Sequence, residues 1–101
     1  MSNDIFADFE SRGVNRHSML LLPPFAALDF VRECRVRGLE LLGFDGFKLL
    51  PNDRIQPYME HSLDLSDSHH SDLSSVEKAS FAENFLEERL QTDFLFEMVV
   101  R

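Results

Sequence analysis

The sequence predicts a small α+β sandwich, in which two to three helices pack on a three- to five-stranded mixed sheet. Segments with helical periodicity occupy residues 4–12, 25–37 and 75–91, and short β-type runs lie between them and at the C-terminus. The length of 101 residues fits a single domain, 1–101, and leaves little room for a second one. We therefore expect one hydrophobic core that the helices and the sheet share.

The two longer helices have clear terminal signals. In residues 25–37 the apolar side chains recur at three- and four-residue steps, and Gly38 offers the left-handed residue that commonly ends a helix. Ser74 and Glu77 have the spacing of a capping box, and a wide apolar stripe follows them. These two helices should form the helical side of the core.

Between these helices the sequence predicts short strands joined by tight turns. Asp45-Gly46 is a strong signal for a two-residue turn, because such turns need positive φ, and it predicts a hairpin of two short strands. A second turn signal at residues 51–54 precedes a third short strand that begins at residues 55–56. Pro57 confines this third strand to an edge of the sheet.

The last predicted strand covers residues 94–100, and only Glu97 interrupts its apolar character. We therefore expect both faces of this strand to be covered and the strand to lie inside the sheet. Such a strand must pair within the domain or across a dimer interface. Before the last helix, residues 60–75 are rich in Ser, Asp and His and predict an exposed polar loop.

The formal net charge of −8 is concentrated in the second half of the chain. Residues 55–101 contain ten acidic and three basic residues, whereas residues 1–54 are nearly neutral. This charge disfavours nucleic acid and anionic membranes as partners, since both bind clustered Lys and Arg. It favours a basic protein partner, whose approach is accelerated by opposite charge. The plain alternative is an acidic surface that only keeps a small protein in solution.

The single cysteine, Cys34, excludes an intramolecular disulfide and suits a reducing compartment. Residues 1–10 are acidic and lack the apolar core of a secretion signal, and no apolar run approaches the roughly 18 residues of a membrane span. We therefore expect a cytoplasmic protein. Because Cys34 lies on the apolar face of its helix, we expect it to pack in the core.

The polar segment at residues 60–75 contains the side-chain types of metal and hydrolytic sites without the spacing that such sites need. Its candidate metal ligands are His61, Asp64, Asp67, His69, His70 and Asp72. No helix holds the adjacent histidines one turn apart, and a calcium loop beginning at Asp64 lacks the glycine and glutamate of its sixth and twelfth positions. Its serines have no G-x-S-x-G elbow around them. We expect no metal, no cofactor and no enzymatic activity.

Two sets of side chains are candidates for binding a partner. One set is Phe44, Asp45 and Phe47, which the predicted hairpin would present as aromatic anchors beside an acid; the alternative is that both aromatics belong to the core or its rim. The other set is the acidic side of the last helix and strand, unless it is only a solvated face. Its members are Glu83, Glu87, Glu88, Asp93 and Glu97.

The chain combines small size, acidic charge and a single cysteine with the segments Gly43-Phe44-Asp45-Gly46-Phe47, Ile55-Gln56-Pro57 and Leu63-Asp64-Leu65-Ser66. In these features it resembles the small acidic immunity proteins of bacterial toxin systems. The resemblance implies an inhibitor that blocks a cognate toxin, often a basic nuclease, by binding it. It matches no motif residue by residue, so it assigns no role to particular residues.

The sequence therefore favours a non-enzymatic protein-binding module, in the form of an immunity-type inhibitor of a basic partner. Two alternatives stay open. One is a self-associating structural or regulatory domain that uses the C-terminal strand and forms a homodimer. The other is a small ligand-binding or enzymatic domain with a pocket between helix and sheet.

Overall fold

The computed structural model describes residues 4–66 and 72–101, and these form three α-helices, one short 3₁₀ helix and five strands. In chain order the elements are α1 (Ile5–Phe9), the 3₁₀ helix (Glu10–Arg12), β1 (Val14–Arg16), β2 (Met19–Leu21), α2 (Pro24–Arg37), β3 (Leu41–Leu50), β4 (Arg54–Asp64), α3 (Ser75–Glu87) and β5 (Leu95–Val100). Helices α2 and α3 pack against each other and against the sheet. The predicted α+β class is confirmed.

The strands form two antiparallel sheets. β3 lies between β4 and β5 in a three-stranded sheet, and β1 pairs with β2 in a separate hairpin. Reciprocal main-chain hydrogen bonds of 2.8 Å between Leu22 and Phe96 attach this hairpin to the outer side of β5. Every described strand pair is antiparallel, whereas the sequence predicts a mixed sheet. The short turn between β3 and β4 allows only antiparallel pairing of these two strands.

The turn between β3 and β4 lies at Asn52-Asp53. These residues have φ values of 66° and 59°, which a tight hairpin turn requires. The predicted turn at Asp45-Gly46 is wrong, because β3 runs straight through both residues. Gly46 has a different role there, since a Cβ at this position would lie 2.5 Å from the carbonyl oxygen of His61. The second turn signal of the sequence thus marks the real turn.

β4 extends further than the sequence predicts. It continues to Asp64, so the predicted exposed loop at residues 60–75 is wrong for its first five residues, which are strand. At the end of β4, Leu63 and Asp64 pair with Phe44 and Gly43 of β3, which the polar composition alone did not indicate. Residues 67–71 lie outside the described part of the chain. Pro57 lies on an edge strand, as predicted.

The end of α2 and the start of α3 lie at the predicted signals, whereas α3 ends at Glu87, four residues before the predicted end at residue 91. Gly38 has φ of 69° and closes α2. At the start of α3, the Glu77 N–H donates to Ser74 Oγ and the Ser74 N–H donates to Glu77 Oε1, each at 3.1 Å, which confirms the capping box. Hydrogen bonds from the backbone and the side chain of Ser74 to the Glu77 carboxyl lower the pKa of Glu77 below its ordinary value. Within residues 4–66 and 72–101, no helix is long and apolar enough to cross a membrane.

The core lies between the helices and one face of the sheet. Its largest fully buried side chains include Phe30, Phe44 and Phe96. The Phe44 ring meets the rings of Phe85 and Phe96 edge-on, with centroids 5.5 Å apart in each pair. Cys34 is buried in this core, as predicted, and burial raises the pKa of its thiol to about 11. The thiol is therefore protonated at neutral pH and serves as an apolar side chain.

The two faces of β5 differ in burial. Phe96 and Met98 point into the core, whereas Leu95 and Glu97 are half-buried and Val99 is 41% exposed. The prediction that both faces are covered is therefore wrong. Among the described residues, no helix forms a second layer over the outward face of the sheet, so this face stays partly open to solvent.

Candidate partner-binding surface

The outward face of the sheet brings two carboxylates together. Asp45 on β3 and Glu97 on β5 are direct cross-strand neighbours. Their neighbours Phe44 and Phe96 point into the core, so side-chain alternation directs both acids away from it. No described residue gives either carboxylate a hydrogen bond or an ion pair. The pair therefore places unbalanced negative charge on the sheet.

The pair has an electrostatic consequence in the free chain. Partial burial, and then the negative charge of Asp45, raise the pKa of Glu97 above its ordinary value. Like charges directly opposite each other on a sheet are destabilising. Val99 follows on the same face and adds an exposed apolar side chain. We name Asp45, Glu97 and Val99 the acidic strip.

A cleft of about 410 Å³ adjoins the acidic strip, between α1, the β1–β2 hairpin and β5. Residues that line it include the acidic Glu10 and Glu97 and the apolar Phe6, Leu20 and Met98. Lys and Arg side chains have an apolar stem and a cationic head, and they fit surfaces that offer both kinds of contact. The cleft therefore extends the same mixed acidic and apolar chemistry beyond the strip.

The structure separates the three predicted residues of the central segment. Asp45 is exposed, but Phe44 and Phe47 are buried, so neither aromatic is presented to a partner. The prediction of a hairpin tip with aromatic anchors is wrong, because no turn interrupts β3 here. Phe44 belongs to the core, and Phe47 lies on the outward face opposite Pro57 and Leu95.

The predicted acidic side of the last helix is largely occupied within the chain. Oε1 of Glu83 lies 2.9 Å from the guanidinium of Arg35, and Glu87 lies 3.7 Å from Arg32, so both acids link α3 to α2. Glu83 Oε1 is buried and has no hydrogen bond of good geometry within the described chain, which makes its pair an ionic contact only. Glu88 is 77% exposed and lies 3.6 Å from the next residue's guanidinium.

A cluster around Arg89 was not indicated by the sequence. Its Nε donates to His61 Nδ1 at 3.0 Å, and its other nitrogens donate to the carbonyls of Phe85 at 2.9 Å and Glu60 at 3.0 Å. The guanidinium also lies 3.5 Å from the centroid of the Phe85 ring. We name this arrangement the Arg89 clamp. It ties β4 to the end of α3 across 28 residues of sequence, which no local pattern reveals.

The candidate metal ligands that the structure describes have other partners or stand apart. His61 accepts a hydrogen bond in the Arg89 clamp, and Asp64 accepts from the N–H and the hydroxyl of Ser66 at 2.9 and 2.6 Å. Across residues 4–66 and 72–101, no three His, Cys, Asp or Glu side chains are grouped so as to hold a metal. Asp72 is described and exposed and belongs to no such group, and the remaining candidates, Asp67, His69 and His70, lie outside the described residues.

A functional assignment for this chain depends on the geometric observations above. No protein-family model matches the chain, and a search of curated proteins gives no match. The resemblance to immunity proteins therefore stays a prediction from sequence.

Proposed function

We propose that this chain is a non-enzymatic protein-binding module that inhibits a basic partner protein, in the manner of an immunity protein. The observation that carries the proposal is the facing pair of carboxylates, Asp45 and Glu97, on a partly open and partly apolar sheet face. Opposite charge then selects the occupant of this face, which is a protein surface that presents Lys or Arg.

The acid pair supports a cationic occupant for a physical reason. In the free chain Asp45 and Glu97 repel each other, and the raised pKa of Glu97 reflects partial burial and, to a smaller extent, this repulsion. A Lys or Arg side chain placed between them replaces repulsion with attraction and offers hydrogen-bond donors to both carboxylates. Binding therefore gains from relief of an interaction that is unfavourable in the free protein.

The surroundings of the pair suit a protein partner. Val99 and Leu49 on β5 and β3 are both partly exposed apolar side chains. Protein interfaces commonly combine a desolvated apolar centre with polar and charged contacts at the rim. This mixture gives a partner contact area that a small cation would not use.

The helix acids are less suitable as the docking surface. Glu83 and Glu87 already pair with Arg35 and Arg32 between the helices. Reversal of either charge would leave an arginine beside a like charge and would act on stability as well as on binding. Of the two sets that the sequence offers, the proposal therefore keeps Asp45 and adds Glu97 on the sheet, and it sets aside the acids of α3.

The test is an affinity capture from lysate of the native host with three baits, the unchanged chain, Asp45→Asn/Glu97→Gln, and Asp53→Asn/Glu88→Gln. The last bait is the matched control, because it removes the same two charges from exposed positions in the β3–β4 turn and after α3, away from the acidic strip. After low-salt washing and high-salt elution, mass spectrometry should find one basic protein on the first and third baits and at least about tenfold less on the second.

Inhibition is tested with the captured protein after purification. The unchanged chain should abolish its catalytic or toxic activity at equimolar concentration, and the Asp45→Asn/Glu97→Gln variant should not. Equal capture by all three baits would place the contact elsewhere on the chain. Capture of no basic protein by any bait at low salt would contradict the proposed function itself.

A further inference from the structure

A wide bulge interrupts the pairing of β4 with β3. Phe44 is paired with Leu63 and Gly46 with Tyr58, so four residues of β4 stand opposite the single residue Asp45 of β3. These four residues, Met59 to Ser62, we name the β4 bulge. Such an insertion leaves extra residues unpaired and pushes them out of the plane of the sheet.

The β4 bulge is held by hydrogen bonds at both ends. The Gly46 N–H donates to Ser62 Oγ at 3.0 Å, and the Ser62 hydroxyl donates to the Tyr58 carbonyl at 2.8 Å. From the other side the Arg89 clamp fixes Glu60 and His61. Met59 is the remaining residue of the bulge, and its side chain is 89% exposed on this fixed frame.

We propose that Met59 is a site of reversible redox modification, at which hydroperoxide-class oxidants convert the thioether to a sulfoxide without unfolding of the domain. A lone pair of the Met59 sulfur attacks one peroxide oxygen, the O–O bond breaks and an S–O bond forms. The sulfur is oxidised by two electrons, and the peroxide is reduced and leaves as water or an alcohol. The product is a polar and chiral side chain in place of an apolar one.

The selectivity follows from access to the sulfur atoms of the described residues. Met98 is 3% exposed in the core and Met19 is half-buried in β2, so their oxidation depends on opening of the surrounding structure. Cys34 does not compete, because its thiol is buried and protonated. Met59 needs no opening, since the hydrogen bonds of the bulge fix the backbone and leave the side chain in solvent.

Reduction of the Met59 sulfoxide also depends on the exposure of this side chain. A methionine sulfoxide reductase can reach the Met59 sulfoxide in the folded chain. The sulfoxide oxygen leaves as water with protons from two thiols, and these thiols become a disulfide. The modification would thus change the chemistry of the β4 edge from apolar to hydrogen-bond accepting and back.

The test is oxidation of the folded chain with dilute hydrogen peroxide, followed over time by peptide mass spectrometry. We expect the Met59 peptide to gain one oxygen at least about tenfold faster than the Met98 peptide, while circular dichroism stays unchanged. Treatment with a methionine sulfoxide reductase mixture that acts on both sulfoxide epimers, together with dithiothreitol, should remove this oxygen. In urea-unfolded chain the two methionines should react at similar rates.

The Met59→Leu variant is the matched control, since the exposed position tolerates an apolar side chain of similar size. It should lose the fast phase and keep the slow oxidation of Met98. Oxidation of Met98 as fast as Met59 in the folded chain would overturn the proposal, and so would a Met59 sulfoxide that the reductase cannot remove. Neither result would bear on the binding of a basic partner.

Discussion

At the scale of single residues, the proposed function depends on two carboxylates, and the titration of Glu97 can be followed as a change of stability with pH. Partial burial and the charge of Asp45 raise its pKa in the folded chain above the ordinary glutamate value. Between the ordinary and the raised pKa, the folded chain holds more protons than the unfolded chain. The unfolding free energy therefore falls as pH rises through this window, and the penalty persists at higher pH.

The corresponding prediction concerns Glu97→Gln. At pH 7 this variant should raise the unfolding free energy by a few tenths of a kcal/mol, because Glu97 is partly exposed and water screens its charge. At about pH 3, where the native carboxyl is protonated too, the gain should vanish. Urea unfolding at both pH values measures it, with Glu60→Gln as a control of equal charge change. An equal gain at both pH values would contradict the electrostatic origin.

At the scale of elements, the close approach of β3 to β4 depends on glycine. Gly43 has φ of 144°, and a Cβ there would lie 2.2 Å from the carbonyl oxygen of Leu63. We predict that Gly43→Ala lowers the unfolding free energy by about 3 kcal/mol or more, through strain and overlap with the neighbouring strand. Urea unfolding of the purified variant measures this loss.

The matched control for Gly43 is Gly38, which has φ of 69° at the end of α2 and open space around its missing Cβ. Gly38→Ala keeps the backbone penalty of a left-handed residue without any overlap and should lower the unfolding free energy by only about 1 kcal/mol. Similar losses for the two variants would show that strand proximity contributes nothing at Gly43.

These elements also show how far sequence reasoning reaches. The end of α2 and the start of α3 were predictable, because Gly38, Ser74 and Glu77 satisfy these helix ends through local hydrogen bonds and local backbone conformation. The turn was misplaced because Asp45-Gly46 has the composition of a turn while Gly46 serves close strand contact instead. Local composition cannot distinguish these two uses of glycine.

The sequence predicts the acidic chemistry of the candidate site but not which residues the fold brings together. The excess of acidic residues and the exposed Asp45 could be read from the sequence, but the partner of Asp45 could not. Its neighbour Glu97 is brought opposite by the register of β3 and β5, which a one-residue slip would change completely. The pairing of Glu83 and Glu87 with α2 likewise depends on how the two helices pack.

In the whole molecule, charge is balanced on the helical side and unbalanced on the sheet side. Arginines of α2 each meet an acid from another helix; these pairs are Arg32–Glu87, Arg35–Glu83 and Arg37–Asp8. On the outward face of the sheet, the acidic strip has no such partner among the described residues. The acidic strip therefore contributes directly to the net charge of −8, on the face where the proposed partner docks.

The same arrangement bears on self-association. β5 pairs with β3 inside the chain and meets Leu22 on its other side, so the C-terminal strand does not need a second copy. On the opposite edge, Pro57 and the β4 bulge interrupt the regular ladder that another strand would extend. Mutual repulsion between chains of like net charge acts in the same direction.

We therefore predict a monomer. Light scattering in moderate salt should give a mass near 11.7 kDa that does not change over about a hundredfold range of concentration. Phe96→Asp is an informative variant, because Phe96 is fully buried and a charge there should unfold the chain rather than separate two copies. The opposite result would be a mass that rises with concentration, together with a Phe96→Asp chain that is folded and monomeric. This result would favour the self-associating domain, because the C-terminal strand would then depend on a second copy of the chain.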